Sequence, residues 1–260
     1  MILGSSHSFY GFNPVYFTTK TFNASHISQS LKYDFEIIKK YQSNLKQLKT
    51  IVLPISYFTL FWKLESGPAS WRVKNYILYY GLENSNTYTD YSEVLSNKIK
   101  PNIKRLSSYY LKGNSAISCT SLGWGKAYKS INARDLIETG KNAAFRHSND
   151  INDIKFKNIL RDNEQTLNSI IAWCKARNIR IVLLTPPAFK SYRQNLNKTQ
   201  LNATIEIAKK IDLDNNNCIY FNLLNDTSFV AKDFYDADHL SEIGAEKLSK
   251  LINEKVNNWK

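Results

Sequence analysis

Three cysteines, Cys119, Cys174 and Cys218, are all that the 260-residue chain carries, and none of them forms a C-x-x-C pair. An odd number without paired spacing excludes a disulfide framework and gives no zinc signature, so buried thiols are expected. No window holds the roughly eighteen consecutive apolar residues that a membrane helix needs, and no charged segment followed by an apolar one opens the chain. The sequence as it stands is therefore expected to be soluble. P-loop, Gly-x-Gly-x-x-Gly, zinc-finger, basic-helix and RNA-recognition signatures are also missing, as are internal repeats and low-complexity tracts.

What is present in excess is positive charge, +13 formally with a pI near 9.5. The lysines are scattered, as at Lys39, Lys40, Lys46, Lys49, Lys100, Lys209 and Lys210. Without a recognition motif this spacing gives no nucleic-acid partner. It fits a solvated basic surface, or a preference for an anionic partner such as a polysaccharide or a membrane face.

Short apolar runs alternate with segments of helical period, the pattern of a mainly parallel sheet covered by helices on both faces. Five strands are expected, at Ile2-Leu3, Thr21-Phe22-Asn23, Ile51 to Ile55, Ile179 to Leu184, and Cys218 to Phe221. Leu31, Phe35, Ile38 and Tyr41 fall on one helical face, and Ile159, Asn163, Leu167, Ile170, Ile171 and Cys174 on another. Ser241 is a good N-cap for a last helix whose inner side carries Leu248, Leu251, Ile252 and Val256. The fold class is thus α/β, a single domain over 1–260. Residues 60–150 break the rhythm and are too long for a bare loop, which predicts an inserted lid or binding subdomain at the strand C-termini.

Two short segments carry chemistry. Gly4-Ser5-Ser6-His7 follows the first strand directly, and a serine at a strand-to-helix turn is exposed, with its own amide available as an oxyanion donor. Asp236-Ala237-Asp238-His239 precedes the last helix, and an aspartate three residues before a histidine can take its Nδ1 proton while Nε2 faces outward. Separately, the first is an ordinary turn and the second an ordinary cap. In a doubly wound sheet, however, both positions reach the C-terminal edge.

In this pairing the chain resembles the SGNH (GDSL-like) hydrolase superfamily, whose first block is Gly-Asp-Ser and whose last is Asp-x-x-His. The resemblance implies a three-layer α/β/α sandwich, with Ser6 as nucleophile, His239 as general base and acid, and Asp236 as the residue that sets the imidazole tautomer. Asn23 to Leu31 is similar to the second block, which places an oxyanion donor at Ser25. The third block, Gly-x-Asn-Asp, is absent. Ile55-Ser56-Tyr57-Phe58 stands in its place, so Ser56 is expected to substitute, with Tyr57 or an amide of the insertion as alternatives. Ser5 is expected to close the turn, and Asp238 to point away from the site as a cap or substrate contact. His7, Arg146 and His147 are candidate substrate contacts, although Arg146-His147 also fits a surface pair. Trp62, Trp71 and Trp124 serve either sugar stacking or a small core.

Among family members, the Gly-Ser-Ser variant and the long insertion look most like bacterial envelope polysaccharide O-acyltransferases and D-alanyl-transfer proteins. That implies an O-acetyltransferase or O-acetylesterase working through an acyl-Ser6 intermediate, without metal or cofactor. The implied partners are a carbohydrate ester substrate and a membrane acyltransferase that supplies acyl groups. An extracytoplasmic place follows if an upstream anchor has been removed, and a cytoplasmic one if Met1 is the natural start. The competing expectation is a catalytically idle polysaccharide-binding module of the same fold.

Overall fold

A computed structural model describes residues 1–82, 88–92, 94–95, 99–114 and 117–259. Positions 83–87, 93, 96–98 and 115–116 of the expected insertion lie outside the described residues. In chain order the elements are α1 (Ser6–Gly11), α2 (Leu31–Lys40), β1 (Thr50–Pro54), α3 (Val73–Tyr80), α4 (Ile99–Lys112), α5 (Leu136–His147) and α6 (Ile154–Lys175). They continue with β2 (Arg180–Thr185), α7 (Lys190–Gln194), α8 (Lys198–Asp214), β3 (Cys218–Asn222) and α9 (Glu242–Asn258).

The chain is α/β, built on a parallel three-stranded sheet in the order β1-β2-β3, with Val52 opposite Val182 and Val182 opposite Ile219. Runs such as Ile181-Val182-Leu183-Leu184 form its centre because branched apolar side chains suit a strand buried on both faces. The two remaining strands expected from sequence do not form. Each is reduced to a single parallel bridge, Ile2 pairing with Asn23 on one side and Val52 on the other. The cause is local. Gly4, at φ +107, turns the chain straight after Leu3, and Asn23 folds its side-chain oxygen back onto the Ser25 amide.

The pleat sends alternate residues of these segments to different clusters. Leu3, Ile51, Leu53, Ile181, Leu183 and Tyr220 pack with α2, α6 and α8 residues, among them Ile38, Ile170 and Ala208. Ile2, Val52, Val182 and Leu184 pack instead with Phe12, Phe234, Leu248 and Ile252. Helix α6 buries the six residues expected of it, Ile159, Asn163, Leu167, Ile170, Ile171 and Cys174. Each apolar side chain so buried contributes about 1.5–3 kcal/mol. Helix α2 differs: Tyr33, Asp34 and Ile37 are buried beside Leu31 and Ile38, whereas Tyr41 is its C-cap. Cys174 and Cys218 are buried thiols, but Cys119 is half-buried.

The described residues between 60 and 150 pack piecewise. Leu60 and Phe61 belong to the main core, and the Asn163 side chain donates to the carbonyls of Leu60 and Trp62. Helix α3 lays Tyr76 against Tyr33 and Ile37, while α5 brings Ala143 and Ala144 to Tyr57 and Tyr192. Residues 119–125 cross α1, where the Trp124 indole donates to the Tyr10 carbonyl. Gly123 is required there, since its φ is +87 and a Cβ would lie 2.0 Å from the Asn23 carbonyl oxygen. Trp71, by contrast, is exposed. Among the described residues no helix is long and apolar enough to cross a membrane.

Candidate active site

Ser6 opens α1, and the turn before it is held from below. Gly4 sits at φ +107, which strains any other residue, and a Cβ there would meet Ser8 Oγ at 2.6 Å. The Gly4 amide donates to Asp34 Oδ1 at 2.8 Å, and Gln29 Nε2 donates to the same oxygen at 2.6 Å. Burial pushes the Asp34 carboxyl up to about 7 against the opposing effect of those two bonds. Ser5 makes no side-chain cap bond; its carbonyl receives the amides of Ser8 and Phe9.

The loop before α9 curls as the Asp-x-x-His spacing predicts. Tyr235 N–H donates to the His239 carbonyl, closing the loop on itself, and Asp236 Oδ1 accepts the amides of Asp238 and His239. The same oxygen lies 2.9 Å from His239 Nδ1, and His239 Nε2 lies 2.9 Å from Ser6 Oγ. Serine hydroxyl, imidazole and carboxylate therefore form one hydrogen-bonded line across 233 positions of sequence.

No family model, curated protein or solved structure matches this chain.

Asp238 does not point away. The segment is bent rather than extended, which turns its carboxylate inward among three of the four histidines. Asp238 Oδ2 lies 3.3 Å from His7 Nε2 and 3.9 Å from His147 Nδ1, and Oδ1 lies 3.6 Å from His239 Nδ1. On its far side His7 Nδ1 meets Ser56 Oγ at 2.8 Å, and His147 Nδ1 meets the Tyr192 hydroxyl at 2.9 Å. Burial lowers the His7 pKa, and it lowers that of His147 to about 3, so both rings are neutral. Burial would lower His239 as well, but the Asp238 and Asp236 charges outweigh it and raise that ring to about 9. Desolvation would raise Asp238 in turn, but the His239 charge and the His7 hydrogen bond outweigh it and hold that carboxyl well below its ordinary range.

Ligand atoms of His7, Asp238 and His239 lie within 4.8 Å of one another, a spacing that would suit a metal ion. Hydrogen bonds already account for both nitrogens of each ring, through Ser56 and Asp238 for His7 and through Asp236 and Ser6 for His239. The cluster therefore reads as a relay of hydrogen bonds rather than a ligand set.

Neither expected oxyanion serine offers a free donor. The Ser25 amide and hydroxyl both donate to Asn23 Oδ1. The Ser56 hydroxyl is engaged by His7, and its amide donates to Thr59 Oγ1 at 3.0 Å. The first-turn amides of Ser6 and His7 remain, since residues at the start of a helix have no intrahelical acceptor.

Three tyrosines that sequence reasoning did not single out wall the site. Tyr128 stacks on Tyr10 at 3.6 Å and on Tyr235 at 4.0 Å, and it meets the His239 ring edge-on at 5.2 Å. Tyr10 and Tyr235 flank the two motifs, a position that could have drawn attention to them; Tyr128 had no such signal. Arg146 is exposed and His147 half-buried, and both line a cavity of about 140 Å³ with Phe58, Trp62, Lys63 and Lys155. Phe58 packs 4.3 Å from His147 and 5.3 Å from His7, so this cavity lies one ring away from the cluster.

Proposed function

We propose that the protein is a serine acyl transferase or esterase of SGNH type, with Ser6 as nucleophile, His239 as general base and Asp236 as its orienting acid. The observation that carries this reading is the Ser6–His239–Asp236 line, with both hydrogen bonds at 2.9 Å. Ser6 Oγ forms a bond to the acyl carbonyl carbon and gives its proton to His239 Nε2. Collapse then breaks the ester C–O bond, and the departing alkoxide takes that proton. A sugar hydroxyl or water repeats the sequence in reverse to release Ser6. The Ser6 and His7 amides are the oxyanion donors of this reading. The parallel bridges of Ile2 to Asn23 and Val52, beside β1-β2-β3, give five parallel positions that fit the three-layer sandwich of that superfamily.

The substrate of this reading is an acetylated bacterial surface polysaccharide, handled in the cell envelope with acyl groups supplied by a membrane acyltransferase. The tyrosine wall and the basic cavity rim at Arg146 and Lys155 suit a sugar carrying acidic groups better than a long acyl chain, which needs a continuous apolar surface. A second reading, an idle carbohydrate-binding module, draws on the engaged Ser25 and Ser56 donors and on a His239 that holds its proton at neutral pH. Fluorophosphonate labelling separates the two. Wild-type protein and Ser5→Ala should be labelled and Ser6→Ala should not, whereas absence of label in the wild type at pH 9 would leave only the binding module.

A further inference from the structure

Helix α4 bears an apolar stripe that nothing among the described residues buries. Ile99, Ile103, Leu106 and Tyr110 recur at the spacing of one helical face and are 75, 59, 57 and 75% exposed, and no α4 side chain is buried. The other faces carry Lys100, Lys104, Arg105 and Lys112, with no acidic residue in all fourteen positions. Just before it, Val94 and Leu95 are exposed as well. A helix of this length is marginal in water on its own, and an apolar stripe adds stability only when it is covered.

The chemistry of the two faces narrows what covers it. A soluble polyanion would attract Lys100, Lys104 and Lys112 but leave the stripe in water. A second copy of the chain would set one cationic helix against another, a like-charge arrangement that costs free energy. A surface that is apolar beneath and anionic on top matches both faces at once, and the +13 charge of the whole chain adds long-range attraction to it. We propose that α4 docks the protein on an anionic lipid bilayer, lying in the interface with Ile99, Ile103, Leu106 and Tyr110 among the acyl chains and its lysines at the headgroups.

Vesicle co-sedimentation tests it, using phosphatidylcholine alone and phosphatidylcholine mixed with phosphatidylglycerol. Wild type should bind the anionic vesicles at least about tenfold more tightly, less so as salt rises. The exposed pair Ile103→Glu and Leu106→Glu should lose about tenfold or more, while Leu213→Glu, at an exposed apolar site on α8, should bind as wild type does. Hydrogen exchange of the wild type gives a second readout: amides of residues 99–112 should gain protection on anionic vesicles and those of α8 should not. Equal binding to both lipid compositions would overturn the proposal. So would undiminished binding by the double variant, which would assign the attraction to overall charge. A dimer that the double variant dissociates, without vesicle binding, would make the covering surface a second copy.

Discussion

Asp238 Oδ1 lies 3.6 Å from His239 Nδ1, the ring nitrogen that Asp236 already holds at 2.9 Å. Two carboxylates thus address one imidazole, and a neutral His7 pins the second by bonding it at 3.3 Å. Tyr10, Tyr128, Arg146 and His147 are the other titratable groups around this ring, and the Arg146 charge opposes the carboxylates only weakly.

A general base must be neutral to take the Ser6 proton, and with its pKa near 9 only about one His239 in a hundred is neutral at pH 7. Turnover of p-nitrophenyl acetate should therefore rise with pH and level off above about 9. Asp238→Asn keeps the shape and removes the charge, so its inflection should fall by about one unit or more. A pH–rate profile, paired with a ¹⁵N titration of the His239 ring in a Ser6→Ala background, measures both. An unmoved inflection in both would deny Asp238 its influence.

Gly4→Ala forces a side chain into φ +107 and against Ser8 Oγ. The strain should cost about 1–3 kcal/mol of stability, read as a lower urea midpoint, and the displaced turn should slow fluorophosphonate labelling of Ser6 more than tenfold.

Asp34 has a folded pKa near 7, above its ordinary value, so its contribution to stability is complete below about pH 4 and is lost as pH rises through 7. Asp34→Asn retains an acceptor for the Gly4 amide and has no charge to bury. Relative to wild type, the variant should gain stability between pH 4 and pH 8 and then hold constant. Urea unfolding across that range checks the sign, and a difference independent of pH would contradict it.

Arg146→Ala with Lys155→Ala removes two cations from the rim of the cavity beside His147. Its KM for an acidic oligosaccharide acceptor should rise about tenfold, while turnover of the small neutral p-nitrophenyl acetate stays within about twofold. Equal effects on both substrates would remove the cavity from substrate recognition.

Much of this was legible in the chain. Branched apolar runs marked β1, β2 and β3, helical period marked the buried face of α6 residue by residue, and Ser241 marked the start of α9. These are local properties, because backbone preference, capping and side-chain period depend on neighbours a few positions away. Gly4-Ser5-Ser6 and Asp236-x-x-His239 were each ordinary alone, and it was their joint resemblance to two family blocks that pointed to the three residues found in one hydrogen-bonded line.

Ile2 and Asn23 stop at single bridges for a local reason that their apolar character hid, the Gly4 turn and the Asn23 side chain folding back onto the Ser25 amide. Tertiary structure decided the rest. Asp238 looked outward only under an extended backbone, and it was the closed loop from Tyr235 to His239 that turned it inward. Its partners His7 and His147, the engagement of Ser25 and Ser56, and the Tyr10–Tyr128–Tyr235 stack each join side chains from separate parts of the chain or its turns. A sequence pattern states which face a residue occupies; what stands opposite that face, and so which proton a carboxylate holds, is set only when the distant segments pack.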